Sequence, residues 1–335
     1  MRLRTTTALL ASLAAALLCI PSCKDRTTSE KYETVIGAYV SGIRGDDVPD
    51  PGLVTHINFA FAQVSETFDG LTLADTSGLR KVAALKKVSP DLKVLLSVGG
   101  WGSGRFSEMA ADSLCRLSFA KDCAKMVDEY AIDGIDIDWE YPTNSDSGIS
   151  SSADDTENFT LLMRDIREAL GEGKLLTLAS ICSAEYIDFK AVLPFVDLIN
   201  VMAYDMYTAD FTHHSALYRS PNAGHCTADE AVRLHLEAGV PKEKLVMGMP
   251  FYGRGKPGYG PGSEGVTEVW DDVAKVPLLF TADGERVFGF ENARSLTEKC
   301  SYIKANGLRG GMYWEYNVDA PDHGFVKLVH DCLAE

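Results

Sequence analysis

The segment Asp133-Gly134-Ile135-Asp136-Ile137-Asp138-Trp139-Glu140-Tyr141-Pro142 carries an acid at every second position from 136 to 140. In an extended strand, side chains alternate between faces. Asp136, Asp138 and Glu140 then share one face, while Ile135, Ile137 and Trp139 take the other. Same-face neighbours stand about 6.6–7 Å apart along a strand. Three carboxyls so aligned in a low dielectric cannot all ionise cheaply, so at least one pKa must rise. A carboxyl that keeps its proton near neutral pH is what general acid catalysis needs. The competing readings are a metal site, a calcium loop and a solvated acidic edge. Calcium loops place Gly and Asn between their ligands. Bulky Ile and Trp between the acids point to burial, and burial points to catalysis.

Four more segments pair chemistry-bearing residues with the end of an apolar run. Ser97-Val98-Gly99-Gly100-Trp101 contains two adjacent glycines, which allow a sharp turn or a close backbone approach. Met202-Ala203-Tyr204-Asp205 contains a tyrosine that, if buried, needs a partner for its hydroxyl. Gly248-Met249-Pro250-Phe251-Tyr252-Gly253-Arg254 ends in a cation that is either a ligand contact or a structural ion-pair partner. Gly311-Met312-Tyr313-Trp314-Glu315 contains a tryptophan for which core packing is the default reading.

The elements that must position these residues follow from the pattern of apolar runs. Short, β-branched runs occur at 35–40, 56–61, 93–98, 134–138, 175–179, 198–203, 245–249 and 310–313. Their length and continuous apolarity suit buried parallel strands. Amphipathic stretches at 113–130, 157–170, 228–238 and 295–306 lie between them, with Pro241 and Gly307 as stop signals. Eight strands alternating with helices predict a (β/α)8 TIM barrel, with a doubly wound open sheet as the alternative. The chain has 335 residues, a length that such barrels accommodate as one domain. Residues 255–290 are rich in Gly and Pro and form a short insertion before the eighth strand.

The acidic strand resembles the D-x-x-D-x-D-x-E signature of glycoside hydrolase family 18, in its chitinase-type form ending W-E-Y-P. The resemblance extends from about residue 35 to about residue 332. It implies a (β/α)8 barrel with the signature on the fourth strand, where the strand count also puts it. It further implies cleavage of β-1,4-linked N-acetylglucosamine with retention, assisted by the substrate's own acetamido group. Glu140 is then the acid and base, and Asp138 holds the acetamide N–H. Tyr204 orients the acetamide oxygen, while Asp136 and Ser97 tune Asp138. Trp314 is the floor under the sugar being cleaved, and Trp101 stacks on a sugar beyond the cleavage point. Asp205, Met202, Tyr252, Arg254, Tyr39 and Phe61 line the cleft. No metal and no cofactor is implied. The alternatives are an endo-β-N-acetylglucosaminidase acting on N-glycans and, in a different class, a non-catalytic lectin that binds chitin oligosaccharides. An insertion this short implies an open cleft and endo-type cutting.

Composition sets the remaining expectations. Hydrophobic residues make up 46% and charged residues 24%, an ordinary globular balance. The net charge of -16 disfavours nucleic acid as a partner. Arg2 and Arg4 precede an apolar run ending near Ile20, too short to span a membrane and typical of export. Residues 1–23 resemble a lipoprotein-type signal segment with Cys23 as the lipidated residue, residues 24–32 read as a tether, and residues 33–335 form the catalytic barrel. The protein is then an exported envelope lipoprotein, or otherwise secreted, and a monomer. Six cysteines follow Cys23. Cys115 and Cys123 lie about 12 Å apart along one predicted helix, too far for a disulfide, and most of the six are expected to be free and buried.

Overall fold

A computed structural model describes residues 34–334; the signal segment with Cys23 and the whole of the tether lie outside the described residues. The chain opens with β1 (Val35–Val40) and β2 (His56–Val64), and β3 (Leu71–Leu73) folds back antiparallel on the end of β2. Next come α1 (Thr76–Ala84), β4 (Lys93–Gly99), α2 (Phe106–Ala111) and α3 (Ser113–Glu129). The acidic strand is β5 (Gly134–Asp138), followed by α4 (Asp155–Leu170). The order continues through β6 (Leu175–Ile181), α5 (Phe189–Val192), β7 (Leu198–Met202), α6 (Ala228–Glu237) and β8 (Leu245–Pro250).

The insertion then folds as β9 (Arg254–Gly255), β10 (Val266–Asp271), β11 (Val276–Thr281) and β12 (Arg286–Gly289). The chain ends with α7 (Ala293–Asn306), β13 (Gly310–Trp314) and α8 (Gly324–Ala334). Side-chain caps start several helices where the sequence supplies Asp, Thr or Asn: Asp112 before α3, Thr227 before α6 and Asn292 before α7. Gly307 ends α7 at φ 62°, a conformation that costs glycine nothing.

The strands β1, β2, β4, β5, β6, β7, β8 and β13 pair in parallel, and β1 pairs with both β2 and β13. The sheet therefore closes on itself into the (β/α)8 barrel, and an open doubly wound sheet is excluded. Strands β1, β5, β7 and β8 are buried at every position, because helices cover one face and the barrel interior the other. A small apolar cluster including Val35, Tyr39, Met202, Val246 and Met312 fills that interior.

The eight strands begin at the residues the apolar runs predict and differ only at their ends. The short helices α1, α2 and α5 show too few turns for a period to emerge from the sequence. The insertion is more ordered than its Gly and Pro content suggests. It is a four-stranded antiparallel sheet in the order β10-β11-β12-β9. Asp271 at the end of β10 accepts from Ser220 (2.7 Å) and Asn222 (3.1 Å) and lies 3.2 Å from His213, which ties the sheet to the segment after β7. A fully buried Lys299–Glu291 ion pair, joined by the Ser215 hydroxyl, anchors the start of α7 to the same segment. The six described cysteines are free thiols.

Candidate active site

The alternation along β5 puts its acids inside the barrel and Trp139 outside it. Trp139 stacks on Phe106 of α2 (5.3 Å between centroids) and tilts against Phe159 of α4 (6.1 Å). Register then brings donors to the deepest acid. Ser97 on β4 and Thr177 on β6 stand directly opposite Asp136. Asp136 accepts from Thr177 (2.5 Å), Ser97 (2.7 Å), Tyr39 (2.9 Å) and Asn200 (3.2 Å). Burial raises its pKa, and the four hydrogen bonds, Thr177 first, work against that rise.

Asp138 lies one pleat further along. Its main-chain oxygen accepts from Gly100 (2.9 Å), but its Oδ1 is buried without a hydrogen-bond partner among the described residues. Burial, then the charges of Glu140 and Asp136, hold its carboxyl well above the usual range. Glu140 comes next, beyond the last ladder pair of the strand. Burial pushes it up to about 7; a Tyr141 hydrogen bond works against this, and the Asp205 charge adds to it.

Aromatic rings surround the acids. Trp314 stacks on Phe61 (5.5 Å) and meets Tyr39 edge-on (5.9 Å). Phe61, Tyr141, Tyr204 and Trp314 pack as partly buried residues on the interior cluster that contains Met202. Tyr204 is edge-on to Tyr252 (6.3 Å). The two glycines at the end of β4 are needed because of neighbours within the protein. A Cβ at Gly99 would stand 1.9 Å from the Asp138 oxygen, and one at Gly100 would stand 2.7 Å from the Phe61 ring.

Arg254 binds Asp205 through two nitrogens (2.7 and 2.8 Å) and lies over the Tyr252 ring. Burial alone would raise the Asp205 pKa; the hydrogen bonds from Arg254 outweigh it, with the His214 ring 3.6 Å away acting in the same direction, and the carboxyl is held well below the usual range. Trp101 is 65% exposed and meets Tyr141 edge-on at 6.4 Å. Tyr141 in turn stacks on Tyr186 at 5.5 Å.

The thirteen cleft residues expected from the sequence thus gather around the end of β5, with Trp101 outermost. Thr177, Asn200, Tyr141, Tyr186 and His214 belong to the same site without having been singled out. Thr177 and Asn200 were detectable in principle, as single polar residues inside apolar strands. Tyr186 and His214 sit in loops with no local pattern. Among the described residues, no group of three or more His, Cys, Asp or Glu is placed to hold a metal ion.

The family model "Glycosyl hydrolases family 18" matches residues 31–319. Chitinase A1 of Niallia circulans is 35% identical over 326 residues; the alignment covers 81% of this chain but only 46% of that longer protein. The solved family 18 N-acetylglucosaminidase of Paenibacillus barengoltzii superposes with a TM-score of 0.82 at 34% identity, covering 90% of this chain and 100% of the other. The Group IV chitinase of Ostrinia furnacalis, solved with allosamidin, gives a TM-score of 0.80 at 28% identity, covering 90% and 99%. A match across most of the chain, on a barrel whose fourth strand carries the acids, establishes that the chain belongs to glycosyl hydrolase family 18.

Proposed function

We propose that the protein is a chitinase-like hydrolase of β-1,4-linked N-acetylglucosamine, retaining and substrate-assisted. The observation that carries this reading is the unpartnered, buried Oδ1 of Asp138 between a saturated Asp136 and a Glu140 whose pKa is raised to about 7. A buried acceptor without a donor is costly unless a ligand supplies one, and the N–H of a 2-acetamido group is such a donor. Glu140 gives its proton to the glycosidic oxygen. The acetamide carbonyl attacks the anomeric carbon, and Asp138 stabilises the oxazolinium ion that forms. Tyr204 orients the carbonyl, and Trp314 supports the sugar. Water then opens the ring, with Glu140 as base, so configuration is retained.

The barrel length shared with an N-acetylglucosaminidase makes product size the informative readout. Mass spectrometry of products from chitotetraose and from a high-mannose glycopeptide tests the proposal. Internal cleavage of chitotetraose is the expected result. Release of single sugars only would make the enzyme exo-acting, and cleavage of the glycopeptide alone would make it an N-glycan endoglycosidase. Binding without cleavage would make it a lectin. Glu140→Gln should lower turnover by about 10²-fold or more, the usual contribution of a general acid, while binding persists. Export with lipidation of Cys23 is part of the same proposal, and an acyl-modified N-terminal peptide in the mass spectrum of the envelope protein is its test.

A further inference from the structure

We propose that Asp155 is a positioning residue for Glu140, acting through the loop of residues 141–154; this rests on the reading of Glu140 as the acid. The last ladder pairs of β5 are Gly99↔Asp138 on one side and Ile137↔Leu178 on the other. Glu140 stands two residues beyond the first and three beyond the second, so no ladder pair with a neighbouring strand fixes its backbone. That task falls to the loop after it. Ser147 donates to the Glu140 carbonyl oxygen (2.8 Å), which couples the loop to the acid.

Asp155 holds that loop closed. It is the first residue of α4 and is fully buried. Its Oδ2 accepts from the amides of Thr143 (3.1 Å) and Ser152 (2.7 Å), near opposite ends of the loop. Its Oδ1 accepts from Ser107 of α2 (2.7 Å). Thr143 has φ 63°, a left-handed conformation that a threonine keeps only when its surroundings impose it. The helices joined through Asp155 and Ser107 are the ones whose Phe159 and Phe106 enclose Trp139, the residue just before Glu140. One carboxylate thus brackets the acid from behind and from the loop side.

A helix-capping role does not account for this geometry. A capping side chain accepts from amides two or three residues further into its own helix. Asp155 instead accepts from residues before it and from another helix. Its charge at the helix N-terminus is favoured by the dipole, but the contacts reach toward Glu140.

The test compares Asp155→Ala, Asp155→Asn and Ser107→Ala by chitotetraose kinetics and by amide hydrogen exchange. An asparagine oxygen can accept both amides while its NH2 donates to Ser107, so Asp155→Asn should keep kcat within about 3-fold. Asp155→Ala should lower kcat by about 10- to 100-fold, the scale for ångström misplacement, with KM little changed. The same variant should move the alkaline limb of the pH profile upward, because Tyr141 lies in the released loop. Exchange at Thr143 and Ser152 should speed up in Asp155→Ala and not in Asp155→Asn. Should the alanine variant fail to fold, Ser107→Ala is read instead, with a kcat loss and faster loop exchange expected at unchanged KM. Parental kcat in the released variants, unchanged exchange, or an asparagine variant as impaired as alanine would each overturn the proposal. A parent that cleaves nothing sinks the chitinase reading instead, and the exchange data then decide whether Asp155 holds the loop.

Discussion

Replacing Glu140 by glutamine is expected to stabilise the folded protein at alkaline pH. In the folded chain Glu140 titrates at about 7, against an ordinary 4.5. Burial is the main cause, so the folded state disfavours the ionised form. Below about pH 4.5 the carboxyl is neutral in both the folded and unfolded states and nothing is lost. Between about pH 4.5 and 7 the unfolded chain ionises while the folded chain keeps its proton, so the loss builds up across that window and is complete above it. That difference is roughly 3 kcal/mol of stability lost by the parent above pH 7. Glu140 is only partly buried, which brings the figure to about 2 kcal/mol. The Gln variant has no proton to lose and escapes the penalty. Its carboxamide also relieves the Glu140 charge that raises the Asp138 pKa, which acts in the same direction. Thermal unfolding of parent and variant at pH 4 and pH 8.5 is the assay. The variant should match the parent at pH 4 and melt about 4 °C higher at pH 8.5. An advantage that is equal at both pH values, or present only in acid, would refute burial as the cause of the shift.

Tyr141→Phe keeps the ring that stacks on Tyr186 and removes the hydrogen bond that lowers the Glu140 pKa. The proposed role of Glu140 as the acid requires its proton, so the alkaline limb of kcat/KM against pH should move upward by about one pH unit; a limb that stays or moves down contradicts the assignment. Thr177→Val removes the 2.5 Å bond to Asp136. Bonds to charged groups are worth about 1.5–3 kcal/mol, so denaturant unfolding should show a loss of about 2 kcal/mol at pH 8 and less at pH 4. An equal loss at both pH values would mean that Asp136 is not the ionised partner.

The fold was legible because its signal is local. Eight apolar runs of strand length, separated by helical patterns, mark the barrel strands whatever encloses them. Missing from that pattern were the insertion sheet and the short helices. Strands β10 to β12 pack through side chains such as Val266 and Phe288 that no strong periodicity announces, and α5 spans a single turn. Within the site, the residues at strand ends were recognisable from their motifs, while Tyr186 and His214 lie in irregular segments whose placement depends on the packing of other elements.

Alternation by itself determined that Asp136, Asp138 and Glu140 face one way and Trp139 the other, because a strand's two-residue period is a property of its own backbone. Only the tertiary structure decided what those acids are worth. The donors to Asp136 come from 97, 64, 41 and 39 residues away along the chain. Asp138 is left without a donor for Oδ1, Asp205 is claimed by Arg254, and Glu140 is fixed by a loop beyond its strand. Desolvation and hydrogen-bond pairing depend on which distant segments close around a group, and barrel closure is what brings those segments together.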